Sequence, residues 1–136
     1  MDKILCCVTD RDHALKAAQF AARISIGLGC PLVFLAVNKL QPHSGFAPME
    51  QWTSAEIRQL FQKVDAATRK LGLKKSEQVS LDAFDVSQMI VDYAISEKIT
   101  HIIVGTGNPP FLGRLLMGSV SEAVVSKAKC TVTVVR

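Results

Sequence analysis

The sequence predicts an α/β protein built on an open five-stranded parallel sheet with helices on both faces. Strand-like and helix-like segments alternate along the 136 residues, and such alternation is typical of parallel strands joined by right-handed crossovers. The apolar runs are short and lack helical periodicity, as expected for strands that are covered on both faces. The length fits one domain over residues 1–136, because single domains usually hold about 100–150 residues.

The amino-terminal third predicts two strands with a helix between them. The apolar run at 4–8 is the first strand. Asp12 then has the chemistry of an N-cap for an alanine-rich helix that ends near two glycines. A second buried strand is predicted over 31–37. The two prolines and the glycine within 39–52 predict a loop after it.

The middle of the chain repeats the pattern. Thr53 and Glu56 have the spacing of a capping box, which predicts a helix that begins here and closes at Gly72. Apolar and polar residues alternate over 79–84, as in a strand with one less buried face. Asp85 is the predicted N-cap of the helix that follows.

The carboxyl-terminal third predicts a buried strand at 101–105 and a last strand at 131–135. Between them, Ser119 and Glu122 have the spacing of a second capping box, so a helix is expected to open near Ser119. The five predicted strands and four helices therefore alternate strictly, which requires parallel pairing.

Composition excludes several classes of protein. Hydrophobic residues make up 49% and charged residues 21%, which is typical of a folded globular chain. No apolar run approaches the roughly 20 residues of a membrane span, and the amino terminus does not resemble a secretory signal. We therefore expect a cytoplasmic protein without a membrane partner. The net charge of +4 is weak, and no aromatic residues interleave the basic ones, so no nucleic-acid partner is predicted.

The four cysteines predict neither a metal site nor a disulfide framework. Cys6, Cys7, Cys30 and Cys130 form no C-x-x-C pair and have no histidine at ligand spacing. A reducing cytosol disfavours disulfides, so four free thiols that pack as small apolar groups are expected. Cys6 and Cys7 are neighbours on a strand and should point to opposite faces.

The segment from 105 to 119 is the candidate ligand loop, because it runs from a strand end into a helix start. Glycines let backbone N–H groups approach an anion, and a helix N-terminus adds unpaired donors and a favourable dipole. The same glycines are equally typical of a loop that only makes turns. The candidate anion-binding residues are Gly105, Gly107, Arg114, Gly118, Ser119 and Val120.

Over essentially its whole length the chain resembles the universal stress protein family. The likeness is carried by the opening strand and helix, by HIIVGT at 101–106, by RLLMGSVS at 114–121 and by CTVTVV at 130–135. The resemblance implies a stress-response or regulatory module with the strand order 3-2-1-4-5. It also implies ATP or AMP as ligand, with Mg²⁺, and a homodimer formed through the last strand, which would cover an apolar sheet edge.

The nucleotide-binding members of that family share a motif of glycine, two residues, glycine, nine residues, glycine, then serine or threonine. Gly105 and Gly118 with Ser119 fall in register with it, and Asn108 stands at the middle glycine. Asparagine is the next-best residue after glycine for a left-handed backbone conformation. The resemblance therefore extends to the loop with one departure.

Two further positions carry over from the first and second strands. Thr9 stands where the family usually has an aspartate that contacts the nucleoside, and Asp10 follows one residue later. Val37 matches the position whose backbone contacts adenine in relatives. The resemblance thus implies a nucleoside site formed by Thr9, Asp10 and Val37.

The sequence is compatible with three functions. The first is the nucleotide-responsive module, with a protein partner that the sequence does not identify. The second is a dimeric interaction module without nucleotide, favoured by Thr9 and Asn108. The third is a weak ATP hydrolase, in which Asp10, Asp12 and His13 would hold Mg²⁺ or position a water; turn and cap chemistry explains the same residues. No catalytic residue and no protein metal ligand is predicted, because no nucleophile elbow or Ser–His–Asp arrangement is present.

Overall fold

The computed structural model describes residues 1–9, 12–106 and 119–136, without the side chains of Asp12, His13 and Ser119. Within these ranges no helix is long and apolar enough to cross a membrane. The elements in chain order are β1 (Ile4–Cys7), α1 (Asp12–Leu28), β2 (Leu32–His43), β3 (Phe46–Glu50), α2 (Ser54–Arg69), β4 (Glu77–Ala83), α3 (Val86–Ser96), β5 (His101–Gly105), α4 (Ser119–Lys127) and β6 (Thr131–Val135).

Five of these strands form a parallel sheet in the order β4-β2-β1-β5-β6. Numbered as the five strands predicted from the sequence, this is the order 3-2-1-4-5, so the predicted parallel sheet is confirmed. The chain builds outward from β1 through β2 to β4, then returns to β5 on the other side of β1. The strand order therefore reverses between β1 and β5, and such a reversal opens a crevice at the carboxyl ends of the strands.

A sixth strand makes the predicted loop at 39–52 wrong. β2 continues to His43 and forms an antiparallel hairpin with β3. Gly45 has a φ of 74° at the second position of the turn between them, a left-handed conformation that glycine adopts without steric cost. The hairpin carries Pro42 and Pro48. Proline has no backbone N–H, and an exposed edge of a sheet tolerates it because no neighbouring strand needs that donor.

The hairpin lies on the β1 side of β2. The carbonyl oxygen of Leu35 accepts a hydrogen bond from the N–H of Val8 at 2.9 Å, and that of Lys39 accepts one from Gln51 at 3.0 Å. Along a strand, the N–H and C=O groups of successive residues point alternately to the two edges. The carbonyl oxygens of Leu35 and Lys39, which are four residues apart, therefore point to the same edge of β2. β3 therefore occupies the space beside β2 that opens where β1 ends at Cys7.

Two apolar layers cover the sheet. Ile4 and Cys6 pack with α1 and α2, whereas Leu5 and Cys7 pack with α3 and α4. This alternation confirms that the strands are buried on both faces and that Cys6 and Cys7 point oppositely. Burying a large apolar side chain fully, such as that of Phe34, contributes roughly 1.5–3 kcal/mol. All four cysteines are free, as predicted.

Two predicted helix caps are confirmed. The Thr53 hydroxyl accepts from the N–H of Glu56 at 3.2 Å, and the Glu56 carboxylate accepts from the N–H of Thr53 at 3.0 Å. The Asp85 carboxylate accepts from the N–H of Gln88 at 3.1 Å and starts α3. These bonds satisfy amide groups that a helix leaves unpaired at its start, so they fix where α2 and α3 begin.

Candidate functional site

The carboxyl ends of β2, β1 and β5 meet at one level of the sheet. Continuing the registers of β1 two residues beyond Cys7 places Thr9 beside Val37 of β2 and beside Thr106 after β5. Val37 is 6% exposed, whereas Thr9 is exposed. The point where the strand order reverses is therefore bordered by the buried end of β2 at Val37, and by the more accessible polar residues Thr9 and Thr106.

Ser121 fastens the first turn of α4 to the end of β5. Its side chain is buried, and its hydroxyl donates a hydrogen bond of 2.5 Å to the carbonyl oxygen of Gly105. Val120, one residue earlier, is 38% exposed and faces outward. A helix N-terminus carries unpaired N–H groups and a partial positive charge. The Ser121 bond places that charge at the crevice, where it favours an anion.

The end of β5 is held from its other side as well. The N–H of Thr106 donates to the carbonyl oxygen of Val135 in β6 at 3.0 Å. The chain that leaves β5 is thus bonded to a neighbouring strand for one residue beyond the strand itself. The carboxyl end of β5 at Gly105 and Thr106 is therefore held beside β6 by a backbone bond.

Asn38 closes the base of the hairpin beside the crevice. Its side-chain amide donates to the carbonyl oxygen of Trp52 at 2.8 Å, and its carbonyl oxygen accepts from the N–H of Trp52 at 3.0 Å. Both residues are buried, and Trp52 packs into the layer formed with α1 and α2. The hairpin is consequently anchored as one side wall of the crevice.

The structure brings together those predicted binding residues that it describes. Thr9, Val37, Gly105 and Val120 all lie at this edge. Ser119 begins α4 with its backbone, as predicted. The side chain of Ser119, and the whole of Asp10, Gly107, Asn108, Arg114 and Gly118, lie outside the described residues.

The side chains of the predicted acidic cluster after β1 also lie outside the part of the chain that the structure describes. Asp12 begins α1, but the side chains of Asp12 and His13 and all of Asp10 are not described. Among the described side chains, no group of three or more His, Cys, Asp or Glu residues could hold a metal ion. The role of this corner toward Mg²⁺ stays a prediction.

Burial controls the chemistry of the thiols. Burial raises the pKa of Cys7 to about 12, and burial together with the neighbouring Cys7 raises the pKa of Cys6 well above its usual value. Burial also raises the pKa of Cys30 and Cys130. The thiolate is the nucleophilic form, so these thiols are held in their unreactive state at neutral pH.

Two site residues were missed by sequence reasoning. Asn38 directly follows the predicted second strand, and a polar residue at the end of a buried run is a signal that its side chain has a fixed partner. Ser121 is the third residue of α4, where a small hydroxyl side chain can bond back to a preceding backbone group. Neither signal names the partner, because Trp52 and Gly105 are distant in sequence.

The chain matches the model of the universal stress protein family over residues 1–136. A universal stress protein of Thermus aquaticus is 31% identical over 135 residues, which cover 98% of this chain and 97% of that one. A universal stress protein of Methanocaldococcus jannaschii is 27% identical over 140 residues, which cover 98% of this chain and 81% of its own.

Solved structures share the fold. A universal stress protein of Archaeoglobus fulgidus superposes with a TM-score of 0.78 at 23% identity, covering 100% of this chain and 99% of that one. A universal stress protein in complex with cAMP has a TM-score of 0.75 at 20% identity, covering 99% and 96%. One from A. fulgidus in complex with dAMP has a TM-score of 0.73 at 22% identity, covering 100% and 98%. By its sequence match and its fold, the chain belongs to the universal stress protein family.

Proposed function

We propose that this protein is a stress-response or regulatory module that binds ATP or AMP in the crevice between the ends of β1 and β5. The proposal is carried by the hydrogen bond from Ser121 to Gly105, which fixes a helix N-terminus at the strand-order reversal. The complexes of two relatives with cAMP and dAMP support an adenine nucleotide as the ligand class. Cytoplasmic residence belongs to the same proposal, since four free cysteines suit a reducing compartment.

The crevice offers different chemistry to the two ends of a nucleotide. The backbone of Val37 and the side chain of Thr9 border the region proposed for the nucleoside. The N–H groups of Gly118, Ser119 and Val120 are proposed for the phosphates, together with Gly107, Asn108 and the guanidinium of Arg114. Where ATP is the ligand, Mg²⁺ would accompany its phosphates, and Asp10 is the carboxylate next to Thr9 in the sequence.

Thermal-shift titrations with ATP, ADP and AMP test the proposal. A ligand at ten times its dissociation constant adds about 1.4 kcal/mol to the unfolding free energy. Gly118→Val should abolish the shift, because a branched side chain would block the start of α4. Gly27→Val is the matched control: Gly27 is distant from the crevice, and an added Cβ meets no atom within 4 Å. No shift at millimolar nucleotide in the wild type would refute the proposal.

Ser121→Ala provides a second test of the same site. Removing the hydroxyl frees the first turn of α4 from Gly105, so nucleotide affinity should fall while the fold is retained. Ser121→Thr keeps the hydroxyl and should retain more affinity than Ser121→Ala. Equal affinity of wild type and Ser121→Ala would show that the phosphates do not depend on the placement of α4.

A dimeric interaction module without nucleotide is the second candidate, because Thr9 and Asn108 both depart from the family pattern at ligand-facing positions. The nucleotide content of the purified protein separates the two. Adenylate released on denaturation supports the first candidate, and none after incubation with ATP supports the second. Slow ATP hydrolysis is the remaining possibility, and turnover that Asp10→Asn abolishes would support it.

Homodimer formation through β6 is part of both candidates. Within the described sheet β6 pairs only with β5, and its residues Val132, Val134 and Val135 are half-buried. An antiparallel pairing with the same strand of a second copy would cover this edge. Sedimentation velocity tests the pairing. A monomer at all micromolar concentrations would contradict it, whereas a dimer that Val134→Lys dissociates would support it.

A further inference from the structure

A second candidate site lies between α2 and β4, away from the residues of the nucleotide site. A cleft of about 710 Å³ separates the helix from the strand. This volume is in the range of ligand-binding clefts, roughly 300–1,000 Å³. Its apolar lining is Ile57, Phe61 and Leu73. Gln78 and Ser80 of β4 line its opposite side.

The lining of this cleft is strongly basic. Its cations are Arg58, Arg69, Lys74 and Lys75, against the single carboxylate of Asp65. Asp65 is engaged by Arg69 at 2.8 Å. Within the described ranges, no ion pair engages the other three cations. Like charges around a concave surface raise the local potential and attract an acidic partner.

The cleft runs along an open edge of the sheet. β4 pairs only with β2 among the described strands. The carbonyl of Leu35 in β2 accepts from Val8 of β1, so the odd-numbered residues of β2 face β1. The even-numbered residues, including Phe34, therefore direct their backbone groups toward β4.

The register then identifies which groups of β4 are open. Phe34 is level with Gln78, and in a parallel pair a residue bonds to the two neighbours of its partner. The odd-numbered residues of β4 thus face β2. The N–H and C=O groups of Gln78 and Ser80 point to the open edge, while the side chains of the same residues line the cleft.

We propose that this edge and cleft bind an extended acidic segment of a partner protein, which joins the sheet as a strand beside β4. Backbone bonds to Gln78 and Ser80 would give affinity, and alternate side chains would enter the cleft. There, apolar side chains meet Ile57 and Phe61, and carboxylates meet the cations of the rim. The open backbone groups favour a peptide strand over a small anion, which would leave them unused.

Fluorescence anisotropy with a labelled octapeptide tests the recognition, without nucleotide present. Its odd positions carry glutamate, valine, leucine and glutamate, which share one face of a strand, and its even positions carry threonine. The same peptide with lysine for glutamate should bind about tenfold more weakly or worse, because its charge opposes the rim. Reversing two cations together (Arg58→Glu with Lys74→Glu) should weaken the acidic peptide to a similar extent. Lys16→Glu with Arg23→Glu is the charge-matched control, since both residues are exposed on α1 and neither lines the cleft.

Amide hydrogen exchange tests the pairing itself. The N–H groups of Gln78 and Ser80 should exchange quickly in the free protein and slowly with the acidic peptide, whereas that of Val79 is slow in both. Ser80→Pro removes an outward donor, which an edge strand tolerates, and should weaken binding; Ser80→Ala keeps the donor and should not. If Ser80→Pro does not fold, the wild-type exchange pattern decides.

Three results would overturn the proposal. The first is no saturable binding of the acidic peptide, and the second is equal affinity for its basic counterpart. The third is unchanged exchange at Gln78 and Ser80 in the complex, which would place the peptide elsewhere. Loss of nucleotide binding has no bearing on these outcomes, so the two sites are tested separately.

Discussion

Replacing Asn38 by alanine should lower the unfolding free energy by about 3 kcal/mol. Asn38 is 2% exposed and makes two hydrogen bonds to the backbone of Trp52, at 2.8 and 3.0 Å. Alanine leaves both the N–H and the C=O of a buried residue without these partners. Each buried polar group left unpaired costs roughly 1–3 kcal/mol, and two of them give about 2–4 kcal/mol when water satisfies part of the loss.

Urea unfolding measures this loss, and the chain supplies its own reporter. Trp52 is the single tryptophan, so its fluorescence follows the residue whose backbone is affected. With a urea dependence of about 1–3 kcal/mol per molar, the midpoint should fall by about 1–3 M. Gln41→Ala is the control on the same strand. Gln41 is exposed, so its replacement should change the unfolding free energy by no more than about 0.5 kcal/mol.

A fall of less than about 1 kcal/mol in the unfolding free energy of Asn38→Ala would refute this reasoning, because it would not exceed the net contribution of one ordinary hydrogen bond. It would show that Trp52 keeps its place without the side-chain amide. A native-state red shift of Trp52 emission in the variant, by contrast, would indicate that the hairpin has loosened and that water reaches the indole.

Three smaller predictions follow from caps and thiols. Thr53→Ala should lose about 1 kcal/mol in urea unfolding, whereas Thr53→Ser should stay near wild type. Hydrogen bonding from the N–H of Gln88 lowers the pKa of Asp85 in the folded protein below its usual 3.8. The ionised Asp85 carboxylate therefore stabilises the fold above pH 3.8, and this stabilisation is lost as the pH falls through the pKa that Asp85 has in the folded protein. The unfolding free energy that Asp85→Ala loses relative to the wild type should accordingly be smaller below pH 3.8 than at pH 7 in urea unfolding. Iodoacetamide at neutral pH should leave Cys6 and Cys7 unmodified by mass spectrometry until urea unfolds the chain.

The parallel sheet was predictable because its signals are local. Val33 and Leu35 belong to an apolar run that is buried on both faces, and such a run in an alternating α/β pattern has few other solutions. Thr53 and Asp85 cap their helices through backbone groups three residues away. Short-range chemistry of this kind can be read from the sequence before any tertiary contact is known.

The hairpin and the placement of α4 depend on contacts between distant residues. β2 extends to His43 although its last residues are exposed, so no apolar run marks the extension. Asn38 and Trp52 are 14 residues apart, and Ser121 and its acceptor are 16 apart. Local patterns carry no record of such pairs, and this is why a loop was predicted where a strand stands.

The proposed nucleotide and peptide sites share β2, which borders the crevice with one edge and carries β4 on the other. Coupling between two sites requires an element with two arrangements whose balance both ligands change. Phe34 and Leu35 are fully buried on opposite faces of β2, and a close-packed strand has little room to shift. We therefore expect the acidic peptide to bind with the same affinity, within about twofold, with and without saturating ATP. A larger change in anisotropy titrations would show that β2 moves as a unit, and that burial on both faces does not hold it fixed.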